Sequence, residues 1–126
     1  MIDHVSLGVR SLERATPFYE AVLGALDYRK MVERPATVGF GRQYPCLWLN
    51  LRPGIGSHAD SGWHVALRAR SQDQVDAFHS AALVHGGGDG GAPGWRHYSS
   101  ARVYAAFVLD EDGNRIEAMF IAETAA

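Results

Sequence analysis

Cysteine occurs only once, at Cys46, so the chain has neither an internal disulfide framework nor a cysteine-rich zinc site. No apolar run approaches the roughly 20 residues that a membrane-spanning helix requires. Basic residues are scattered rather than clustered, and the net charge is −2, which argues against a nucleic-acid surface. The opening MIDHVSLGV carries Asp3 and His4 where a secretory leader needs a basic and then an apolar stretch. A cytoplasmic protein is expected. What remains is ordinary globular material: 126 residues, 47% hydrophobic and 21% charged, enough for one core in a single domain, 1–126.

The strongest signal is internal. HVSLGVRSLERATPFYEAVL (4–23) aligns without a gap to HVALRARSQDQVDAFHSAAL (64–83), an offset of 60 residues, with eight of 20 pairs identical. Chance would match roughly one. The chain therefore reads as two modules, about 1–58 and 59–126, too few and too long for a solenoid.

Each module opens with an alternating strand that runs into a helix. Val5, Leu7 and Val9 point one way and His4, Ser6 and Gly8 the other. The same alternation in the second copy buries Trp63, Val65 and Leu67. Ser11 and Ser71 suit helix N-caps, and Gln74 adds a capping box. Helical spacing of Leu12, Ala15, Phe18, Tyr19 and Val22, and of Val75, Phe78 and Ala82, follows. Pro17 threatens a kink. Strands are predicted at 27–33, 36–41 and 46–51, then at 103–110 and 114–121, while Gly-rich 86–94 has room only for a short one. The order is βαβββ twice, an α+β fold whose curved mixed sheet carries its helices on one face and a cavity on the other.

Strand parity assigns side chains to that cavity. His4 and His64 face away from the helices, as do Cys46, Trp48 and Asn50 in CLWLNL, and Arg115, Glu117 and Met119 in the last strand. Two histidines at equivalent repeat positions plus one carboxylate form the His-His-Glu set that takes a divalent ion such as Fe(II), with Mn(II), Ni(II) or Zn(II) as alternatives. The stretch 91–104, GAPGWRHYSSARVY, reads as a long loop. It offers Arg96, Tyr98 and Tyr104 to an anionic or phenolic ligand and His97 as an acid–base group. Cys46 is expected to be a packed thiol, and His58, His79 and His85 to be solvated.

These segments, DHVSLGVRSLERATPFYEAVLGAL, GWHVALRARSQDQVDAF and YAAFVLDEDGNRIEAMF, together resemble the vicinal oxygen chelate superfamily. That group includes glyoxalase I, type I extradiol dioxygenases and bleomycin- and fosfomycin-resistance proteins. The resemblance covers essentially the whole chain and implies paired βαβββ modules around a metal or ligand cavity. It implies His4, His64 and Glu117 as metal ligands. The fourth glyoxalase ligand would fall in CLWLNL, where Trp48 and Asn50 are no ion donors. The extradiol acid–base His would fall near Asn50, and that group's Tyr falls on Phe107. Trp48 and Phe107 would wall the pocket, with Asn50 and His97 orienting groups or moving protons. The function implied is a metal-dependent dioxygenase or lyase acting on a small substrate, and the alternative is a metal-free protein that sequesters a small molecule. A homodimer is also implied, with each cavity closed by one chain or by two.

Overall fold

The computed structural model describes residues 1–56, 60–98 and 101–124. The first module contains β1 (Val5–Val9), α1 (Leu12–Gly24), β2 (Arg29–Arg34), β3 (Thr37–Gly41) and β4 (Pro45–Leu51). The second contains β5 (Val65–Arg68), α2 (Gln72–Val84), β6 (Gly88–Tyr98), β7 (Ala101–Leu109) and β8 (Arg115–Thr124). The βαβββ order therefore occurs twice. The strands form two separate four-stranded mixed sheets rather than one, ordered β1-β4-β3-β2 (sheet A) and β5-β8-β7-β6 (sheet B). In each sheet the first strand pairs in parallel with the last, Val5 opposite Leu47 and Val65 opposite Ile116.

Both helices begin as their caps dictate: the Ser11 hydroxyl accepts from the Arg14 N–H and the Ser71 hydroxyl from the Gln74 N–H. The α1 helix runs through Pro17 without interruption. Its buried Phe18, Tyr19, Val22 and Leu23 join Phe78 and Val75 of α2 in one core with Leu7, Val9, Leu47, Leu49, Ile116 and Ala118. Each such side chain contributes about 1.5–3 kcal/mol by leaving water. This apolar layer fixes which strand faces are left over for chemistry.

The two modules are joined by the turn between β7 and β8. The Asp110 carboxylate accepts from the Tyr19 hydroxyl at 2.6 Å, from the backbone N–H groups of Asp112 and Asn114, and from the Asn114 amide. That same amide donates to the Gly8 carbonyl, and Asp112 accepts from both the backbone N–H and the guanidinium of Arg10. Burial pushes the Asp110 carboxyl up from its ordinary value, against the pull of the hydrogen bonds it accepts. Burial likewise drives the Tyr19 hydroxyl well above its ordinary value. The turn is thus held by neutral donors around the Asp110 carboxylate and by the Arg10 guanidinium on Asp112.

Three expectations need correction. Residues 88–98 form an eleven-residue strand, not a short strand followed by a loop; β6 pairs with β7 from Gly88 opposite Leu109 to Tyr98 opposite Ala101. Register shifts on either side of Gly91 absorb the irregular backbone, and an edge strand tolerates Pro93. Trp63 is 57% exposed because β5 starts only at Val65, so the alternation does not reach it. His79 is buried rather than solvated and pairs with Asp89 at 3.0 Å. His85 is exposed and bonds the Ala81 carbonyl at the end of α2, whereas His58 lies outside the described residues.

Candidate functional site

The helix-facing residues of β8 are Ile116, Ala118 and Phe120, which leaves Arg115, Glu117 and Met119 on the other side of sheet B. Glu117 sits between Ala66 of β5 and Phe107 of β7. Its side chain is only 7% exposed, yet one carboxylate oxygen lies 3.1 Å from Nε2 of His64, which is 37% exposed. The His64 ring meets Phe107 edge-on, with centroids 5.1 Å apart. A buried carboxylate needs a partner to offset its lost hydration, and His64 is the side chain that supplies one.

His4 takes a different position. It immediately precedes β1, is half exposed, and its Nδ1 lies 2.8 Å from the neighbouring Asp3 carboxylate. It shares with His64 a cleft of about 360 Å³ between the edges of β1 and β5, lined also by Ile2, Cys46, Trp63 and Leu67. Among the described residues, no three His, Cys, Asp or Glu side chains gather closely enough to hold one ion. One chain thus brings His64 and Glu117 into contact, while His4 reaches the cleft beside His64 without completing a three-donor cluster. A second groove, about 620 Å³, opens beside this face between Ser6–Gly8 of β1, Asp60–Trp63 and the Asp110–Arg115 end of the β7–β8 hairpin.

On sheet A, the side away from the helices is uncharged along β4. Trp48 lies across the strand pair over Gly39, where a Cβ would come within 2.8 Å of its ring. Asn50 stands opposite Gly8 and Thr37 and has its amide oxygen held by the Thr37 hydroxyl at 2.9 Å. Cys46, half-buried, approaches the Tyr28 hydroxyl, which burial and that thiol together raise from its ordinary value.

The β6–β7 hairpin divides its candidates between two faces. Arg96 reaches over Phe107, 6.0 Å from guanidinium to ring, so it belongs to the Glu117 side, and alternation places Tyr98 there as well. Trp95, His97 and Tyr104 belong to the helix side. Tyr104 packs edge-on against Trp95 and donates to Asp76 of α2 at 2.7 Å, and His97 stands opposite Arg102, whose guanidinium covers Trp95. The expected ligand role of Tyr104 and acid–base role of His97 are therefore displaced from the Glu117 face by strand parity.

Strand parity put Arg115 on this face but gave it no role; it lies two residues from Glu117 and pairs with Asp60 at 3.4 Å.

The profile of the Glyoxalase/Bleomycin resistance protein/Dioxygenase superfamily matches residues 1–118. A glyoxalase/bleomycin resistance protein from Albidiferax ferrireducens T118 is 31% identical with a TM-score of 0.83, covering 93% of this chain and 96% of that one. A glyoxalase/bleomycin resistance protein/dioxygenase family enzyme from Burkholderia phytofirmans PsJN is 17% identical with a TM-score of 0.74, covering 95% and 98%. The fosfomycin resistance protein FosX from Mesorhizobium loti is 20% identical with a TM-score of 0.66, covering 93% and 88%. The last two show likeness of fold alone. No sequence among curated proteins matches the chain.

Proposed function

From the premise that this chain belongs to the glyoxalase/bleomycin resistance protein/dioxygenase superfamily, we propose that it is a metal-dependent dioxygenase or lyase acting on a small, oxygen-bearing substrate at the Glu117 face. Members of the superfamily commonly bind divalent metals and small molecules and often form dimers. The observation that carries the reading is the His64–Glu117 pair: a buried carboxylate and an imidazole nitrogen, 3.1 Å apart on one sheet face.

The donor chemistry fits a divalent ion, because imidazole and carboxylate are the ligands Fe(II), Mn(II), Ni(II) and Zn(II) accept, and Fe(II) matches a two-His, one-carboxylate set. Two donors from one chain are too few to hold it. His4 supplies the third from a second copy, which fits its place at the open edge of β1 beside the open edge of β5. When bound, the ion would polarise the substrate's oxygens as a Lewis acid.

The chain's own residues would do the remaining work. Phe107 and Trp48 give the pocket apolar walls that exclude water, and Asn50, fixed by Thr37, orients a polar group of the substrate. Arg96 and Tyr98 stand at the rim of the same face. His97 and Tyr104 take no part from the helix side.

The test is metal content, measured by plasma mass spectrometry on anaerobically purified protein beside a His64→Ala variant. About one ion per chain, lost in the variant, is the expected outcome. No ion in wild type after Fe(II) is added would replace this reading with the second one, a metal-free protein that sequesters a small molecule. That alternative is favoured by the lack of a three-donor cluster among the described residues of one chain.

A further inference from the structure

We propose that the Glu117 face selects substrates bearing an oxyanion group (carboxylate, sulfonate or phosphonate) and that Arg96 is the specificity-determining residue. This deepens the reading above and rests on it for the choice of face. Arg96 is held by backbone alone: Nη1 donates to the carbonyls of Gly94 and Ala105, both at 2.7 Å, and Nη2 to that of Ala92 at 3.3 Å. Among the described residues it has no carboxylate partner, and Nε–H and one Nη2 hydrogen keep no acceptor. A guanidinium so fixed has lost its rotamer freedom before any ligand arrives. Its remaining donors suit the two oxygens of an oxyanion.

The glycines of β6 make room for this arrangement. A Cβ on Gly91 would come within 3.4 Å of Arg96 Nη2, and one on Gly90 within 3.2 Å of Arg115 Nη1 and of Phe107. Two guanidiniums therefore lie along the glycine strand, and that of Arg96 reaches over the Phe107 ring that also touches His64. Arg68, opposite Met119 on the same face, adds a third positive charge at the rim. Against these three stand Glu117, already paired with His64, and Asp60, paired with Arg115. The chain as a whole carries −2, so this face reverses the sign of the molecule. Phe107 beside the guanidiniums suits a flat or apolar body behind the anionic group.

The test uses the full chain stripped of metal with a chelator, and two probes of one shape: benzoate and its neutral isostere benzamide. Affinities are read by ligand-observed NMR titration at low salt. Wild type is expected to bind benzoate about tenfold more tightly than benzamide. Arg96→Gln should abolish that preference, with benzoate losing much more affinity than benzamide. Arg96→Lys, which keeps the charge but not the fork, should retain part of it. Equal affinities in wild type, or a preference that survives Arg96→Gln, would overturn the proposal. If Arg96→Gln fails to fold, the wild-type preference must shrink at high salt and fall in Arg115→Gln; persistence through both overturns it. His64→Ala should retain the preference while losing metal. Discrimination without metal binding therefore sinks the catalytic reading alone, and metal binding without discrimination sinks only the oxyanion proposal.

Discussion

The two sheets share one frame and carry opposite surfaces. Val5 pairs with Leu47 as Val65 pairs with Ile116, so the shared pairing register makes Trp48 the counterpart of Glu117, Asn50 that of Met119 and Gly39 that of Phe107. In sheet A the aromatic ring sits on the last strand and lies over a glycine; in sheet B it sits on the neighbouring strand and leaves the last strand free for a carboxylate. The apolar face that meets the helices is the same in both. Duplication preserved the packing side, and a single exchange of bulk across a strand pair gave one half a wall and the other half its chemistry.

The turns differ as well. Arg10 and Arg70 are repeat equivalents, but Arg10 bonds the buried Asp112 of the other module, whereas Arg70 makes an exposed pair with Asp27. The exposed pair contributes little. The buried polar link between modules is therefore one-sided and runs through the Asp110–Asn114 turn, beside the apolar core that both helices share.

The experiment with the largest expected effect asks whether the first module's histidine serves the second module's pair. His4→Ala and His64→Ala proteins should each bind no ion alone. If sites form between two copies, mixing and re-associating them should restore about a quarter of the wild-type ion content, since half the dimers are mixed and each holds one intact site. Absence of restoration would rule out a site shared between two copies in this way.

Tyr19→Phe breaks the one-sided link. It removes a 2.6 Å bond to a buried carboxylate and should cost about 1–3 kcal/mol in urea unfolding. The Tyr19 bond holds the Asp110 carboxyl down, so its loss should raise that group further. A carboxyl raised on folding binds its proton more tightly in the native state, so Asp110's own contribution strengthens as pH falls through its folded value towards its unfolded one. The variant should widen that window upward.

Gly39→Ala sharpens the contrast between the two rings. The new methyl would press on the Trp48 ring, lifting it and costing about 1–3 kcal/mol in thermal unfolding. Asp89→Asn should have the smallest effect. The His79 bond and then the Gly91 N–H hold this carboxyl below its ordinary value. It therefore adds stability above the usual carboxylate range that is lost as pH falls through the folded value. The substitution should flatten that part of an acid titration followed by circular dichroism.

The repeat made most of this architecture legible, because alternation in short strands and serine caps are local signals. It placed His64 and Glu117 on one face correctly, since both lie in or beside regular strands. What escaped depends on distant partners. The β6 strand contains glycines and a proline that read as a loop, and it exists because β7 pairs along it. Without that strand, the parity separating Arg96 from His97 had no basis, whereas Tyr104 lay in a strand already predicted, where alternation against Phe107 puts it on the other face. His79 looked solvated because Asp89, the residue that covers it, belongs to the same unread strand. Trp63 failed for the opposite reason: the alternation was extended two residues past where pairing begins.

The parallel pairing of first and last strands also orders events along the chain in time. A chain emerging from synthesis has every strand of sheet A once Leu51 is out, but β5 waits for Ile116 before it gains its neighbour. Glu117 and the turn that bonds Tyr19 arrive with that last strand. Closing the second sheet, tying it to the first and completing the His64–Glu117 pair therefore become one step, set by the arrival of the last strand.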